Sequence, residues 1–480
     1  MRRTVIGVLI AVVILVGGWA ALTLRAEFAD ANGAPAIVVV ATWMRNNNMT
    51  WLTAKLEDVY YTYVDKPQVG GVPTVSADLS TDDAGGDVQL DGPATSSSPA
   101  ASPDASSSGA ASATPAPSAS DSGMPTTPSG APSPGTERAH LTPPDTLVSP
   151  VSPAQPKEGV WQPVGTRVDG IPAVYVTRVR ADDVHTSYYA SVMWIDTLLA
   201  KAMFVPGYQE PGGPNPYNGA LPKDDWATLL ANVNGAFRLD DTQGGYYYQG
   251  TMVRPLVNGK ASTVIYKDGS IRVGKWGRDL QMTPDVDVVR QNLNLIVDHG
   301  QSKVSSPADN VVWGATTDKE SLAWRAAMGQ RADGSIVYVG SPYLSAQGLA
   351  DTLVRAGVQR AMVLDMNNWW TAGFYFKHDA SGAPVCRKLD PAIQEGCDRF
   401  LKPYKRDSFH FLAVPESAVP AFAIDAATKG AATAPTSPSV TPSVAPSVAP
   451  AAPSAPASTE PSAPASPAAA QTSQPVLLAP

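Results

Sequence analysis

Two long stretches of this chain cannot build a core. Residues 76–155 and 416–480 hold 26 of the 45 prolines and are otherwise mostly Ala, Ser, Thr and Gly. Segments so poor in large apolar side chains bury too little surface to offset the entropy of ordering the backbone. Both are therefore expected to be disordered, one as a linker and one as a tail. What remains for a globular unit is 156–415, roughly 260 residues, enough for one sizeable core.

The N-terminal end is of another kind. Thr4–Leu24 carries no charge and, at about 21 residues, is long enough to cross roughly 30 Å of hydrocarbon as a helix. Arg2 and Arg3 favour leaving the N-terminus in the cytoplasm. The expectation is an uncleaved, single-pass anchor in the cell membrane with everything after Leu24 extracytoplasmic. The rival is a cleaved signal peptide. Its apolar region would be unusually long, and Leu24-Arg25-Ala26 is a poor small-residue cleavage site. Residues 36–75 read as a juxtamembrane helical segment: an apolar patch, Ala36–Met44, then a helix capped by Thr50 with Leu52, Leu56, Val59, Tyr60 and Tyr63 on one face. It either lies on the bilayer through Trp43, Trp51, Tyr60 and Tyr61 or packs as a small hairpin.

Composition excludes several classes of function. A net charge of −8 leaves no basic stripe for nucleic acid. Two Cys and five scattered His do not make a zinc or iron–sulfur site, and no glycine-rich dinucleotide or phosphate-loop motif is present. No metal or cofactor is expected. Cys386 and Cys397 fit a disulfide closing a small surface loop in an oxidising compartment, with two free thiols as the alternative.

Within 156–415, short aliphatic runs read as strands: Val174–Val179, Ser262–Tyr266, Ile271–Val273, Leu293–Val297, Ser335–Val339 and Ala361–Leu364. Asp268-Gly269 and Asp333-Gly334 stand between consecutive runs, as in hairpins. Ser191–Lys201 and Ser345–Ala356 read as helices, the second opening on a Ser cap and closing at Gly357. The class is α+β, a single mixed and mostly antiparallel sheet with a few helices.

Five segments in order carry a resemblance: Ala231-Asn-Val-Asn234-Gly235-Ala-Phe237, Asn294-Leu-Ile-Val-Asp298-His-Gly300, Trp324-Arg325-Ala-Ala-Met-Gly329, Asp333–Val339, and Leu344–Asp351 running on to Gly357 and Ala361–Asp365. In these the chain resembles the phosphodiester glycosidase family; the membrane anchor, Thr42–Asn47 (TWMRNN) and His185–Thr197 (HTSYYASVMWIDT) further resemble a divergent bacterial, membrane-anchored branch of it. The resemblance implies hydrolysis of a sugar-1-phosphodiester, with a sugar-phosphate glycan as substrate. Such a reaction passes through an oxocarbenium-like state, and its phosphate leaving group is already a weak base. Holding the phosphate and placing a carboxylate near the anomeric carbon matter most. Arg325 matches the family's Arg and suits a phosphate fork, with Gly329 allowing close approach; a brace for the sheet is the plainer alternative. Asp365 matches the Asp of the family's Leu-Asp-Gly-Gly-Gly-Ser motif and is expected to stabilise charge, attack, or activate water. Here Met366-Asn367-Asn368-Trp369-Trp370 replaces the glycines and serine, so Asn367 and Asn368 would donate from side-chain amides and a Trp face would stack on a sugar. Asn234 and Gly235 match the Asn-Gly-Phe element; Asn234 either binds a sugar hydroxyl, orients Asp365, or is a turn residue of positive φ. Asp298 and Asp240-Asp241 are candidates for a second carboxylate or ordinary turn residues. His299 beside Asp298 suggests a dyad, and Tyr246–Tyr248 a sugar platform or plain sheet packing. A non-catalytic glycan-binding protein on the same fold is the alternative function.

Overall fold

The computed structural model describes residues 2–29, 36–47, 49, 52–53, 67–81, 88–90, 138–305, 312–314, 322–367 and 369–419. Three antiparallel sheets form the unit. The six-stranded sheet runs β1 (Val88–Gln89), β18 (Pro384–Lys388), β17 (Gly373–His378), β6 (Leu229–Asn234), β19 (Ser408–Ala413), β5 (Ala200–Val205). The eight-stranded sheet runs β13 (Gln301–Ser302), β12 (Leu295–Asp298), β16 (Val358–Val363), β14 (Ala323–Arg331), β15 (Ile336–Leu344), β4 (Tyr189–Ile195), β3 (Ile171–Arg180), β2 (Gln162–Val168). The five-stranded sheet runs β10 (Ile271–Lys275), β9 (Ala261–Tyr266), β11 (Val286–Gln291), β7 (Tyr246–Tyr248), β8 (Thr251–Arg254).

The main core joins these sheets. Met193, Met328, Tyr338 and Met362 from the eight-stranded sheet pack in one cluster with Val233, Phe374, Phe376 and Phe409 from the six-stranded one. The other face of the eight-stranded sheet, through Val337, Val339 and Val363, is covered by Leu349 and Leu353 of a helix at Ala346–Arg355. That helix starts as the sequence expects: the Ser345 side chain accepts from the Gly348 amide at 2.9 Å, and Gly357 takes φ 78° just past its end. The expected hairpins at Asp268-Gly269 and Asp333-Gly334 also form.

Several expectations are corrected. The fold has three sheets, not a single one. Ser191–Lys201 is not a helix. Tyr189–Ile195 is a strand, buried at every position between β15 and β3; a run with no polar face suits a central strand and gives a surface helix nothing to show to water. The packed unit also begins well before Pro156. Leu79, Leu90, Leu141 and Leu147 are buried, Val88 and Gln89 pair with Cys386 and Val385, and the Leu141 amide donates to Asp196 at 2.7 Å. Arg138, also buried, ion-pairs with Asp169. Averaged composition hid these few apolar anchors, each worth about 1.5–3 kcal/mol when buried. Residues 82–87 and 91–137 of the expected linker lie outside the described residues, as does the tail beyond Val419.

The Cys386–Cys397 disulfide is formed, but both residues are buried in the core rather than at a surface loop. At the N-terminus, helix α1 spans Arg2–Ala29 and α2 spans Ala36–Asn46. They touch through Trp43 Nε1, which donates to Thr23 Oγ1 at 2.9 Å. The described side chains of α1 begin at Leu15, and among the described residues no helix is long and apolar enough to cross a membrane. Most of the expected span thus lies outside that description, as do Thr50, Leu56, Val59, Tyr60 and Tyr63 of the second juxtamembrane helix.

Candidate active site

Three chain segments meet where the two larger sheets come together. β6 ends at Asn234, β19 starts just after Arg406-Asp407, and β16 runs out into Leu364-Asp365. Antiparallel pairing sets Ser408 opposite Asn234, and the Gly235 amide donates to the Asp407 carbonyl at 2.8 Å. A Cβ on Gly235 would stand 2.4 Å from Asp407 Cγ, so only glycine allows this approach. Asn234, Gly235, Asp365, Trp370, Arg406 and Asp407 line a narrow cleft of about 10 Å³, room for roughly one water.

Asp365 is nearly buried, and both its oxygens are engaged. The Met366 amide donates to Oδ1 at 2.8 Å, and Arg406 Nη2 donates to Oδ2 at 2.5 Å. The same Nη2 reaches the Ala236 carbonyl at 3.1 Å, and the guanidinium lies 5.2 Å over the Trp370 ring. Arg406 Nε is buried without an acceptor among the described residues, as is Arg325 Nη2. Asp407 is fully buried and paired with Arg290 Nε at 2.8 Å; Arg290 also donates to the Gln291 and Phe237 carbonyls. The cleft therefore offers a carboxylate, an adjacent guanidinium and a second carboxylate beneath them. That set suits a reaction that builds positive charge on carbon and negative charge on a phosphate oxygen.

The expected residues divide. Asp365, Asn234 and Gly235 stand in the cleft. Asn234 is a brace: its Oδ1 accepts from Tyr338 Oη at 2.7 Å and the Ala372 amide at 3.0 Å, and its φ is not positive. Arg325 lies behind the cleft, fully buried. It donates to the Leu344 carbonyl at 2.9 Å and the Trp313 carbonyl at 3.3 Å, and Met366 Sδ stands 3.8 Å from Nη1. Burial pushes its guanidinium down to about 10, still charged at neutral pH. Gly329 is not at the site: four residues along β14, about 13 Å from Arg325, its missing Cβ makes room for Val358 and Ala361. Asn367 caps its own turn by accepting from the Trp369 amide at 2.8 Å, and Asn368 lies outside the described residues.

Asp298 is elsewhere. It pairs with Arg360 across the far end of β16, about 16 Å along the strand from Asp365, and is held by Arg278 at 2.7 Å. His299 is 65% exposed and 3.7 Å from Asp298, too far for a hydrogen-bonded dyad. Asp240 and Asp241 are surface partners of Arg254 and Arg238. Tyr246 and Tyr248 pack against Phe204 in the core. The face of Trp370 is taken by Arg406 and Lys405, not left for a sugar.

Sequence reasoning missed Arg406, Asp407 and Arg290. The first two had a signal: they directly precede the apolar run Ser408–Ala413, the same strand-end placement that singled out Asp365. Arg290 closes the strand Val286–Val289 with no feature that separates it from a surface Arg.

Residues 227–365 match the model of a family described as phosphodiester glycosidase. Among solved structures, similarity is found to the zebrafish N-acetylglucosamine-1-phosphodiester alpha-N-acetylglucosaminidase catalytic domain auto-inhibited by pro-peptide. The identity is 15%, the TM-score is 0.34, and 56% of this chain and 87% of that one are covered. A hypothetical protein from Synechocystis gives 10% identity, a TM-score of 0.31, and coverage of 53% and 64%. No curated protein matches the chain.

Proposed function

We propose that this chain, similar over residues 227–365 to the phosphodiester glycosidases, is a membrane-anchored extracytoplasmic hydrolase releasing a sugar from a sugar-1-phosphodiester in envelope or exported glycans. The observation that carries this reading is the meeting of Asp365, Arg406 and Asp407 in one cleft. Asp365 supplies the negative charge that an oxocarbenium needs. Arg406, bound to Asp365 through Nη2 with Nε unused, holds the leaving phosphate beside it. The Arg290–Asp407 pair fixes the floor through Gly235 and Phe237. The anchor rests on the uncharged run Thr4–Leu24; a chain that stays with membranes through alkaline extraction with Met1–Leu24 intact supports it.

One observation favours the second reading, a non-catalytic glycan-binding protein. The cleft, at about 10 Å³, is far below the roughly 300–1,000 Å³ of ligand pockets. The test is to incubate the full-length chain in detergent with the methyl phosphodiester of N-acetylglucosamine 1-phosphate and measure released sugar. Release that Asp365→Asn abolishes supports hydrolysis; binding without release supports the alternative.

A further inference from the structure

The far end of β16 holds a hollow that the cleft at Asp365 does not use. It measures about 230 Å³, and Arg272, Asp279, His299, Gln330, Arg331 and Arg360 are among the residues that line it. β10 carries Arg272, β14 ends at Gln330-Arg331, β16 carries Arg360, and the turn after β12 carries His299. Gln330 fixes β10 against the β14–β15 hairpin. Its Nε2 donates to the Ile271 carbonyl at 2.9 Å and the Gly334 carbonyl at 3.2 Å, and its Oε1 accepts from the Val273 amide at 3.3 Å. Arg331 is seated over Gly357, where a Cβ would stand 3.2 Å from its Nε. Three guanidiniums thus border one small space.

Their charge is only partly answered. Among the described residues Asp279 is the one carboxylate lining the hollow, and it already meets Arg278 at 2.6 Å and Arg360 at 3.1 Å. At the rim, Asp333 stands 3.3 Å from Arg331 and Asp298 stands 4.0 Å from Arg360, while Arg272 also reaches Tyr266. Even so, Arg331 Nε and Nη1 and Arg360 Nε are buried with no hydrogen bond among the described residues. A carboxylate would occupy one guanidinium fork, whereas a tetrahedral group with several charged oxygens engages two or three at once. We propose that this hollow binds a phosphate group, as a second site separate from the cleft. Its volume is below the roughly 300–1,000 Å³ of drug-sized ligand pockets, so it takes a phosphate and the group directly attached to it. Arg360 stands about 16 Å along β16 from Asp365, and this binding needs no hydrolysis in the cleft.

The experiment is a calorimetric titration of the full-length chain in detergent with three probes. Inorganic phosphate stands for the free ion, N-acetylglucosamine 1-phosphate for a glycan, and glycerol 3-phosphate for a lipid headgroup. Saturable binding of at least one is expected, and the tightest identifies the source of the phosphate. Arg331→Gln should weaken that binding at least about tenfold, the usual worth of a hydrogen bond to a charged group. Ala332→Glu, on an exposed turn that borders the hollow, adds a carboxylate without removing a guanidinium. It should also weaken binding, and it serves as the second variant if loss of Arg331 destabilises the hairpin. Arg406→Gln, in the cleft, should leave binding within about twofold, because distant sites act independently. No saturable binding of any probe overturns the assignment. So does binding that survives both Arg331→Gln and Ala332→Glu, or that falls with Arg406→Gln instead, which puts the anion in the cleft. Acetate bound as tightly as phosphate overturns the choice of phosphate. None of these outcomes rests on turnover, so failure here leaves the hydrolase reading standing, and loss of that reading leaves this site intact.

Discussion

Strand β16 has an acidic–basic cluster at each end, and the two are built differently. At one end Asp365 meets Arg406, whose side chain is 12% exposed, inside a cleft closed by segments of the six-stranded sheet. At the other, Asp298 and Asp279 share Arg278, which is 39% exposed, and Arg360 adds a contact to Asp279 at 3.1 Å. The far end even borders the larger hollow, about 230 Å³ against about 10 Å³. Its two acids and two guanidiniums pair with one another beside water, Arg278 and Arg360 being 39% and 30% exposed. Each end holds a buried Nε with no hydrogen bond among the described residues, on Arg360 at the far end and on Arg406 at the near one. Shielding of the guanidinium from water, rather than volume, charge count or spare donors, distinguishes the candidate site.

The sharpest way to break this comparison is to neutralise one acid at each end. Asp365→Asn keeps the shape and removes the charge; it should cut kcat by about 10²–10³-fold, the typical loss of one preorganised charge contact, with the folded fraction unchanged by circular dichroism. Asp298→Asn should leave kcat and KM within about twofold, because Asp298 stands about 16 Å along β16 from Asp365. Equal losses at both ends would mean that the cleft has been placed at the wrong end of the strand.

Asp365 was legible because an apolar run ending in a carboxylate and a turn is a strong local pattern. Asn234 and Gly235 were legible for the same reason. Arg406 and Asp407 come from 41 and 42 residues further along the chain than Asp365 and reach the site through the pairing of β19 with β6, a contact that no local pattern carries. Ser191–Lys201 misled because Ile195, Leu198 and Leu199 fall at helical spacing, whereas tertiary packing uses Tyr189–Ile195 as a strand buried on both faces. The early boundary was invisible for a related reason: Leu79 and Leu141 are single anchors in Pro- and Ser-rich surroundings, and only the partner surface shows them to be buried.

A smaller effect is expected behind the site. Arg325 donates through Nε and Nη1 to the Leu344 and Trp313 carbonyls, and its buried Nη2 has no hydrogen bond among the described residues. An ammonium cannot serve both, so Arg325→Lys should cost about 1–3 kcal/mol of stability, the penalty for a buried polar group left unpaired, read as a lower Tm. Turnover per folded molecule should stay within about threefold of wild type. A loss of kcat at unchanged Tm would instead put Arg325 in contact with the phosphate, returning it to the forked role that its place in the sequence suggests.

The smallest effect belongs to the far end. Arg278 holds the Asp298 carboxyl below the usual carboxylate range, with burial opposing it. A carboxyl whose folded value lies below its unfolded one adds stability above the ordinary carboxylate value, near 3.9, and loses it as pH falls through the lower folded value. Because Arg278 is well exposed, solvent screens most of that gain, and Arg278→Ala should cost less than about 1 kcal/mol at neutral pH. Melting curves should show the wild type and this variant converging as pH falls below about 4, and again in about 1 M salt, where the screening length is about 3 Å. The pair formed by Arg406 and Asp365, shielded from water, should be far less sensitive to salt. If Arg278→Ala cost more stability than Arg406→Ala, or if its effect survived high salt, the far cluster would have to be counted as a dry, committed site, and the contrast between the two ends of β16 would fail.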